Sequence, residues 1–309
     1  MSARLRLSVV VCTYNDERRA LLRDTLAGVA AQRPPCDELI VVVDHNPALA
    51  AALRVENPDA LVVESTGPKG LSGARNTGIA TATGDLVVFL DDDAVPRTGW
   101  LAALTAPFAD DAIAGVGGHA EPAWELGARP RWMPPELDWV VGCSFVGQPH
   151  GDVRNPIGCS MALRADVLAR VGGFATELGR VGTLPSGCEE TEIGLRINRA
   201  GGRIVLVEDS VVDHFVPFAR SNPRYVLRRF HAEGISKAIV RELAKDDGTT
   251  ALDPERRYVI VLARAMARAI VTAVRRRSLV DAAPAVLIPV AGVAAASGFV
   301  RGTRARSRR

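Results

Sequence analysis

Residues 86–96 read LVVFLDDDAVP, an apolar run that ends in three consecutive carboxylates, Asp91, Asp92 and Asp93. A short continuous apolar run is the pattern of a strand buried on both faces. The three carboxylates repel one another, so a positive partner must offset them. A divalent cation would do so, because carboxylates on a hard ion lose their repulsion. Mg²⁺ takes one or two carboxylates and fills its other positions with phosphate oxygens and water, which points to a bound diphosphate. The alternative is a solvated acidic turn.

Working outward, strand and helix patterns alternate around this stretch. LSVVVCT (7–13), ELIVVVD (38–44) and ALVVES (60–65) read as strands. The segments between them, 20–32, 47–56 and 72–82, carry helical periodicity. That order predicts an α/β fold built on a parallel sheet with helices on both faces. Ligands of such sheets bind beyond the carboxyl ends of the strands. Thr13, Tyr14, Asn15 and Asp16 follow the first strand and Asp44 ends the second, so they share an edge with the three aspartates. The first loop, CTYNDE, has neither G-x-G-x-x-G nor a Walker lysine, which disfavours a dehydrogenase and a P-loop kinase. A nucleotidyltransferase on a similar sheet is disfavoured too, for want of a lysine-bearing glycine-rich signature there.

Further along, residues 119–156 read as a long irregular loop with Trp124, Trp132 and Trp139, either stacking platforms or loop anchors. Residues 157–174 read as strand, short helix and glycine turn. Residues 189–202 read as a helix ended by glycine, and 203–216 as two strand-like runs. Residues 223–245 read as a helix, broken near Gly234. Five scattered cysteines show no metal-ligand spacing and no disulfide framework, consistent with a reducing compartment. The apolar run at the N-terminus is too short for a signal peptide and reads as the first strand.

The segments VVVCTYND, VVVDHN, GLSGARNTGIATATGDLVVFLDDD, GCSMALR, GCEETEIGLRINRAGG and VVDHFV occur in this order. Together they resemble the inverting family 2 glycosyltransferases of the GT-A fold, over roughly residues 5–245. The resemblance implies a GT-A domain over 1–222, with a mixed, mostly parallel sheet flanked by helices. It implies a nucleotide-diphosphate-sugar donor, with a UDP-sugar favoured, and Mn²⁺ or Mg²⁺ as cofactor. Thr13, Tyr14, Asn15, Asp44, Arg75, Asn76, Asp91 and Asp92 fall on the donor side, and Asp93, Asp91 and His214 on the metal. Gly158, Cys159 and Ser160 fall on the acceptor side. The family's base is the second acid of an acidic pair at a helix start, here Glu190 where Asp is usual, with Glu189 as the fallback. A non-catalytic nucleotide-sugar-binding scaffold is the rival reading. No QxxRW follows the base helix, which argues against a processive synthase. The segment YVLRRFHAEGISKA resembles the branch acting on polyprenyl-linked or cell-envelope glycans.

The net charge of +3 hides an asymmetry. Residues 256–309 hold twelve arginines, no lysine and one acid, Asp281, a charge of +11 that leaves −8 on the residues before them. Such a tail suits nucleic acid or anionic lipid. The apolar stretch 279–300 approaches spanning length, but Asp281, Pro284 and Pro289 make it a poor spanning helix. Region 223–309 is therefore expected to be a basic helical extension on the cytoplasmic face of the membrane, held by anionic lipid through 256–309, with no nucleic-acid partner. A helical hairpin packed on the domain or on a second copy is the alternative.

Overall fold

The computed structural model describes residues 4–180, 187–243 and 253–306. In chain order, β1 (Leu7–Thr13), α1 (Arg19–Ala30), β2 (Glu38–Val43), α2 (Pro47–Glu56), β3 (Leu61–Glu64), α3 (Leu71–Thr81) and β4 (Leu86–Asp91) form the expected alternation. After them come β5 (Ala94–Pro96), α4 (Trp100–Thr105), β6 (Ile113–Trp124), β7 (Gly151–Asp152), β8 (Ser160–Arg164), α5 (Ala165–Val171), α6 (Glu189–Arg199) and β9 (Arg203–Val216). The chain ends in α7 (Pro223–Leu243), α8 (Asp253–Arg276) and α9 (Leu279–Arg306).

The strands form one sheet of order β3-β2-β1-β4-β8-β6-β9-β5, with β7 beside β9. β1 pairs in parallel with β2 and β4, and β2 with β3. β8 pairs antiparallel to β4 and β6, and β5 antiparallel to β9. The sheet is thus parallel from β3 to β4, with antiparallel pairings entering at β8 and again between β9 and β5. Val10, Ile40, Val42, Val87, Phe89 and Met161 share one core cluster with Ala74 of α3, Leu168 of α5 and Ile193 and Ile197 of α6. Alternate residues such as Val9, Val11, Val41 and Val88 are equally buried on the other face. Gly78 lets α3 lie on β1, since a Cβ there would come within 2.4 Å of Val10. α2 starts on Asn46, whose side chain accepts from the Leu49 amide (3.1 Å), with Pro47 at the first helical position.

Three local expectations change. The region 119–156 is not all loop: β6 runs on to Trp124, and Pro135–Val141 forms a 3₁₀ helix. Residues 203–216 are one strand, not two, because Asp209 and Ser210 continue the extended backbone. α7 does not break at Gly234, whose missing side chain serves packing instead.

The chain groups into two compact units. One comprises Met1–Glu121, Pro149–Thr183 and Glu189–His214, the other Pro122–Gln148, Leu184–Cys188 and Phe215–Arg309. The second unit takes in part of the chain before residue 222 as well as the C-terminal helices. Within it, Trp139 lies between elements: its ring is 4.9 Å from Phe230 and its Nε1 donates to Tyr258 Oη (2.7 Å). Tyr258 in turn donates to the Glu136 carbonyl (2.6 Å). Arg129 clamps Asp138, Arg131 reaches Asp281 (2.9 Å), and Arg268 pairs with buried Glu136. Trp139 is therefore a packing anchor. α9 is the one described helix long and apolar enough to cross a membrane.

Candidate active site

All residues of the site lie in the first unit. The register sets them out: Cys12 stands opposite Asp91 and Thr13 opposite Val43, so β1, β2 and β4 end at one edge. The Asp44 amide donates to the Thr13 carbonyl (2.8 Å). Asp44 itself accepts from the Gly70 amide (2.9 Å) and pairs with His45 (2.7 Å). Tyr14 is exposed beside it, and Asn15 Oδ1 is buried with no hydrogen-bond partner among the described residues.

His214 reaches this edge from far along the chain. Ala94 of β5 pairs with His214 of β9, which places the imidazole Nε2 3.4 Å from Asp93 Oδ1. One ligand atom from each of Asp91, Asp93 and His214 lies within 4.8 Å of the others. Two carboxylates and an imidazole form a donor set that fits a divalent cation, the imidazole suiting Mn²⁺ better than Mg²⁺.

Two arginines are built into the aspartate run. Arg18, a residue the motifs do not single out, donates through Nε to both oxygens of Asp92 (2.9 Å each) and pairs with Asp93 Oδ2 (2.7 Å). Burial pushes the Asp92 carboxyl up to about 6, against the opposing hydrogen bonds and charge of Arg18. The only signal for Arg18 in the sequence is a cation five residues beyond the first strand, on the edge that carries the carboxylates. Arg75 is buried to 2% exposure. It donates to Asp91 (3.1 Å), Glu189 (3.1 Å) and the Gly158 carbonyl (2.7 Å), with its guanidinium over the rings of Phe89 and Phe174. Burial opposes its charge, yet Asp91 and Glu189 raise its pKa further.

The acidic pair opens α6, whose first turn holds Glu189, Glu190 and Glu192 and whose last turn holds Arg196 and Arg199, matching the helix dipole. Glu189 is buried, one oxygen on Arg75 and the other with no hydrogen-bond partner among the described residues. Glu190 is half-buried. A methyl group on Gly158 would stand 3.8 Å from Arg75 Nη2, Glu189 Oε1 and Glu190 Oε2 alike, so these three groups surround the Gly158 backbone.

Other expected residues are held by contacts of the framework. Asn76 engages the Phe174 backbone with both ends of its amide, accepting from the Phe174 amide (2.7 Å) and donating to its carbonyl (2.9 Å). Ser160 is fully buried and accepts from Trp100 Nε1 (2.8 Å). Cys159 is buried, and its carbonyl accepts from the Asp91 amide (3.1 Å), tying β4 to the Gly158 turn. Burial, and the carboxylates of Asp91, Asp92 and Asp44, push the Cys12 thiol up to about 12 despite the Arg75 charge.

Known proteins share this arrangement of sequence and fold. Residues 8–168 match the sequence model of Glycosyl transferase family 2. A glucosyl-dolichyl phosphate glucuronosyltransferase of Haloferax volcanii is 32% identical over 254 residues, covering 79% of this chain and 80% of that protein. The succinoglycan biosynthesis protein ExoM of Rhizobium meliloti is 29% identical over 238 residues, 74% of this chain and 73% of that protein. The mannosyltransferase PcManGT from Pyrobaculum calidifontis, solved with GDP-Man and Mn²⁺, is similar in fold, with a TM-score of 0.60 at 23% identity over 97% of this chain and 88% of that one. The sheet is that of the GT-A fold, and the chain belongs to glycosyl transferase family 2.

Proposed function

We propose that the protein is an inverting transferase that moves a sugar from a nucleoside-diphosphate donor, a UDP-sugar by preference, to a hydroxyl of a lipid-linked or cell-envelope glycan. The convergence of Arg75, Glu189 and Glu190 on the Gly158 backbone, beside the Asp91 end of β4, carries this reading. The Haloferax and Rhizobium relatives support the acceptor class, one acting on a dolichyl phosphate-linked sugar and the other serving succinoglycan biosynthesis.

Asp91, Asp93 and His214 are the residues that would hold a divalent cation. When bound, such an ion offsets the charge of the diphosphate leaving group. Asp44, Asn15 and Thr13 line the strand edge where the nucleoside would lie. Glu190 is the general base: its carboxylate accepts the proton of the acceptor hydroxyl as that oxygen attacks the anomeric carbon. Glu189 is not suited to that task, because Arg75 holds it as an ion pair in the interior. Arg75 fixes Asp91 and Glu189 relative to the Gly158 turn, and so acts as a positioning residue. The enzyme works on the cytoplasmic face of the membrane, held there through residues 256–309.

A thermal-shift panel of UDP, GDP, dTDP and CDP, each with and without Mn²⁺, tests the donor site. One nucleotide should stabilise wild type only with metal, and Asp93→Ala should lose the shift. Glu190→Gln should keep the shift and lose at least about a hundredfold in transfer rate. Transfer surviving in Glu190→Gln would remove Glu190 from the base role. A metal-dependent nucleotide shift with no transfer in wild type would favour the scaffold reading, and no shift with any nucleotide would remove the donor site itself.

A further inference from the structure

In the second unit, α9 has one face fully committed. Its small residues lie directly on α7: a Cβ on Gly234 would come within 2.0 Å of the Ala295 carbonyl, and one on Gly298 within 1.9 Å of the His231 carbonyl. His231 Nδ1 lies 3.2 Å from the Ala294 carbonyl, and the Arg241 guanidinium sits over the Phe299 ring. α7 is polar, runs in the same direction as α9 and carries exposed Arg224 and Arg228 ahead of the His231–Gly298 contact. If α9 crossed a bilayer in this arrangement, those charges would be drawn into hydrocarbon, which is strongly disfavoured.

The opposite face of α9 is bare. Val286, Val290, Val293 and Val300 recur at helical spacing and are all exposed. α8 repeats the pattern, with Ile260, Ile270, Val271 and Val274 exposed along one stripe. Arg257, Arg264 and Arg275 are exposed along the edge of that stripe, seven and eleven residues apart. An apolar stripe bordered by arginines is the pattern of a helix lying in the headgroup region of an anionic membrane, apolar side toward the acyl chains. A second protein copy would match the valines, but it would leave the adjoining arginines facing their own kind.

We infer that α8 and α9 lie in the plane of an anionic bilayer, with the Ile260–Val274 and Val286–Val300 stripes in the acyl boundary, and that α9 does not span. This deepens, and rests on, the membrane part of the proposed function. The test floats the full chain with vesicles of phosphatidylcholine containing about 30 mol % phosphatidylglycerol, and with phosphatidylcholine alone. Wild type should float with the anionic vesicles, and raised salt should weaken the binding. Val271→Asp and Val293→Asp, at exposed positions that keep the fold, should each cut bound protein about tenfold, while the nucleotide-dependent thermal shift stays unchanged. For topology, Leu279→Cys and Thr303→Cys are labelled with an impermeant maleimide in sealed inside-out vesicles from an expressing host, against the parent as background. Both positions should label without detergent.

Protection of either position until detergent is added would overturn the in-plane arrangement while leaving membrane attachment standing. Variants that float like wild type would remove the two stripes from the contact. Absence of flotation, with or without self-association in solution, would overturn both the inference and the membrane part of the function. The donor site would still be judged separately by the nucleotide shift.

Discussion

Arg75 keeps its guanidinium inside the protein, where it serves as counter-charge to Asp91 and Glu189 at once. Removing it leaves an uncompensated buried carboxylate, which typically costs about 3–5 kcal/mol. Arg75→Met should lower stability in urea by that order. Arg75→Lys should recover only part, since one ammonium cannot reproduce the fork. Glu233 gives a second residue-scale outcome. Burial alone would raise its pKa, but Arg229 and Lys237 outweigh that and hold it at about 2, well below its ordinary 4.5. A depressed carboxyl stabilises the fold above its unfolded pKa, and that contribution is lost as pH falls from about 4.5 toward 2. Wild type should therefore lose stability across that window, and Glu233→Gln should show a shallower acid limb in a pH series of urea midpoints. At this scale the sequence is only partly legible. The three aspartates announce a need for positive charge, and a metal is the cation they suggest. Arg18 and Arg75 already supply two cations from the chain, but nothing in their spacing shows that they fold back onto Asp92, Asp93 and Asp91.

At the scale of elements, the parallel half of the sheet is readable because strands buried on both faces leave continuous apolar runs separated by helical periods. In the antiparallel half β8 and β9 are readable as strands, over 157–174 and 203–216, but their pairing is not. β9 alternates buried and half-buried residues over most of its length, and its pairing with β5 is a long-range choice that no local pattern records. That pairing is what brings His214 to Asp93, so without the topology the metal-like cluster can be placed only by resemblance. The glycines of the helical unit make an element-scale test. Gly298→Ala pushes a methyl into the α7 backbone and should cost about 1–3 kcal/mol by overpacking. Gly292→Ala, on the same helix with nothing within 4 Å of the added carbon, should instead gain up to about 1 kcal/mol from helix propensity. Thermal unfolding of the two variants side by side reads the difference.

At the scale of the whole molecule, the chain does not divide cleanly at residue 222. Pro122–Gln148 belongs with the C-terminal helices, where Trp139 packs on Phe230 and bonds Tyr258, and buried Glu136 meets Arg268. A chain cut after residue 222 would keep Trp139 and Glu136 but lose every one of those partners. It should bind a hydrophobic dye, and it should be less soluble than the full chain. A cut chain as soluble and dye-free as the full one would show that the segment finds other cover. Charge and helical period mark a change of character near residue 223. Neither carries any sign that Pro122–Gln148 packs with α7 and α8, because those contacts join residues about a hundred positions apart.

The five thiols add a consequence for kinetics. Cys143, Cys159 and Cys188 are buried, and Cys12 is held protonated by its surroundings to about pH 12. The thiolate is the nucleophile that attacks a thiol reagent, so in the native state these positions react only when the structure around them opens. Cys12 and Cys159 stand in the sheet unit, and Cys143 and Cys188 in the helical one. The order in which the four are modified, followed by mass spectrometry at neutral pH, is therefore a clock for which unit opens first, and it needs neither substrate nor metal to run.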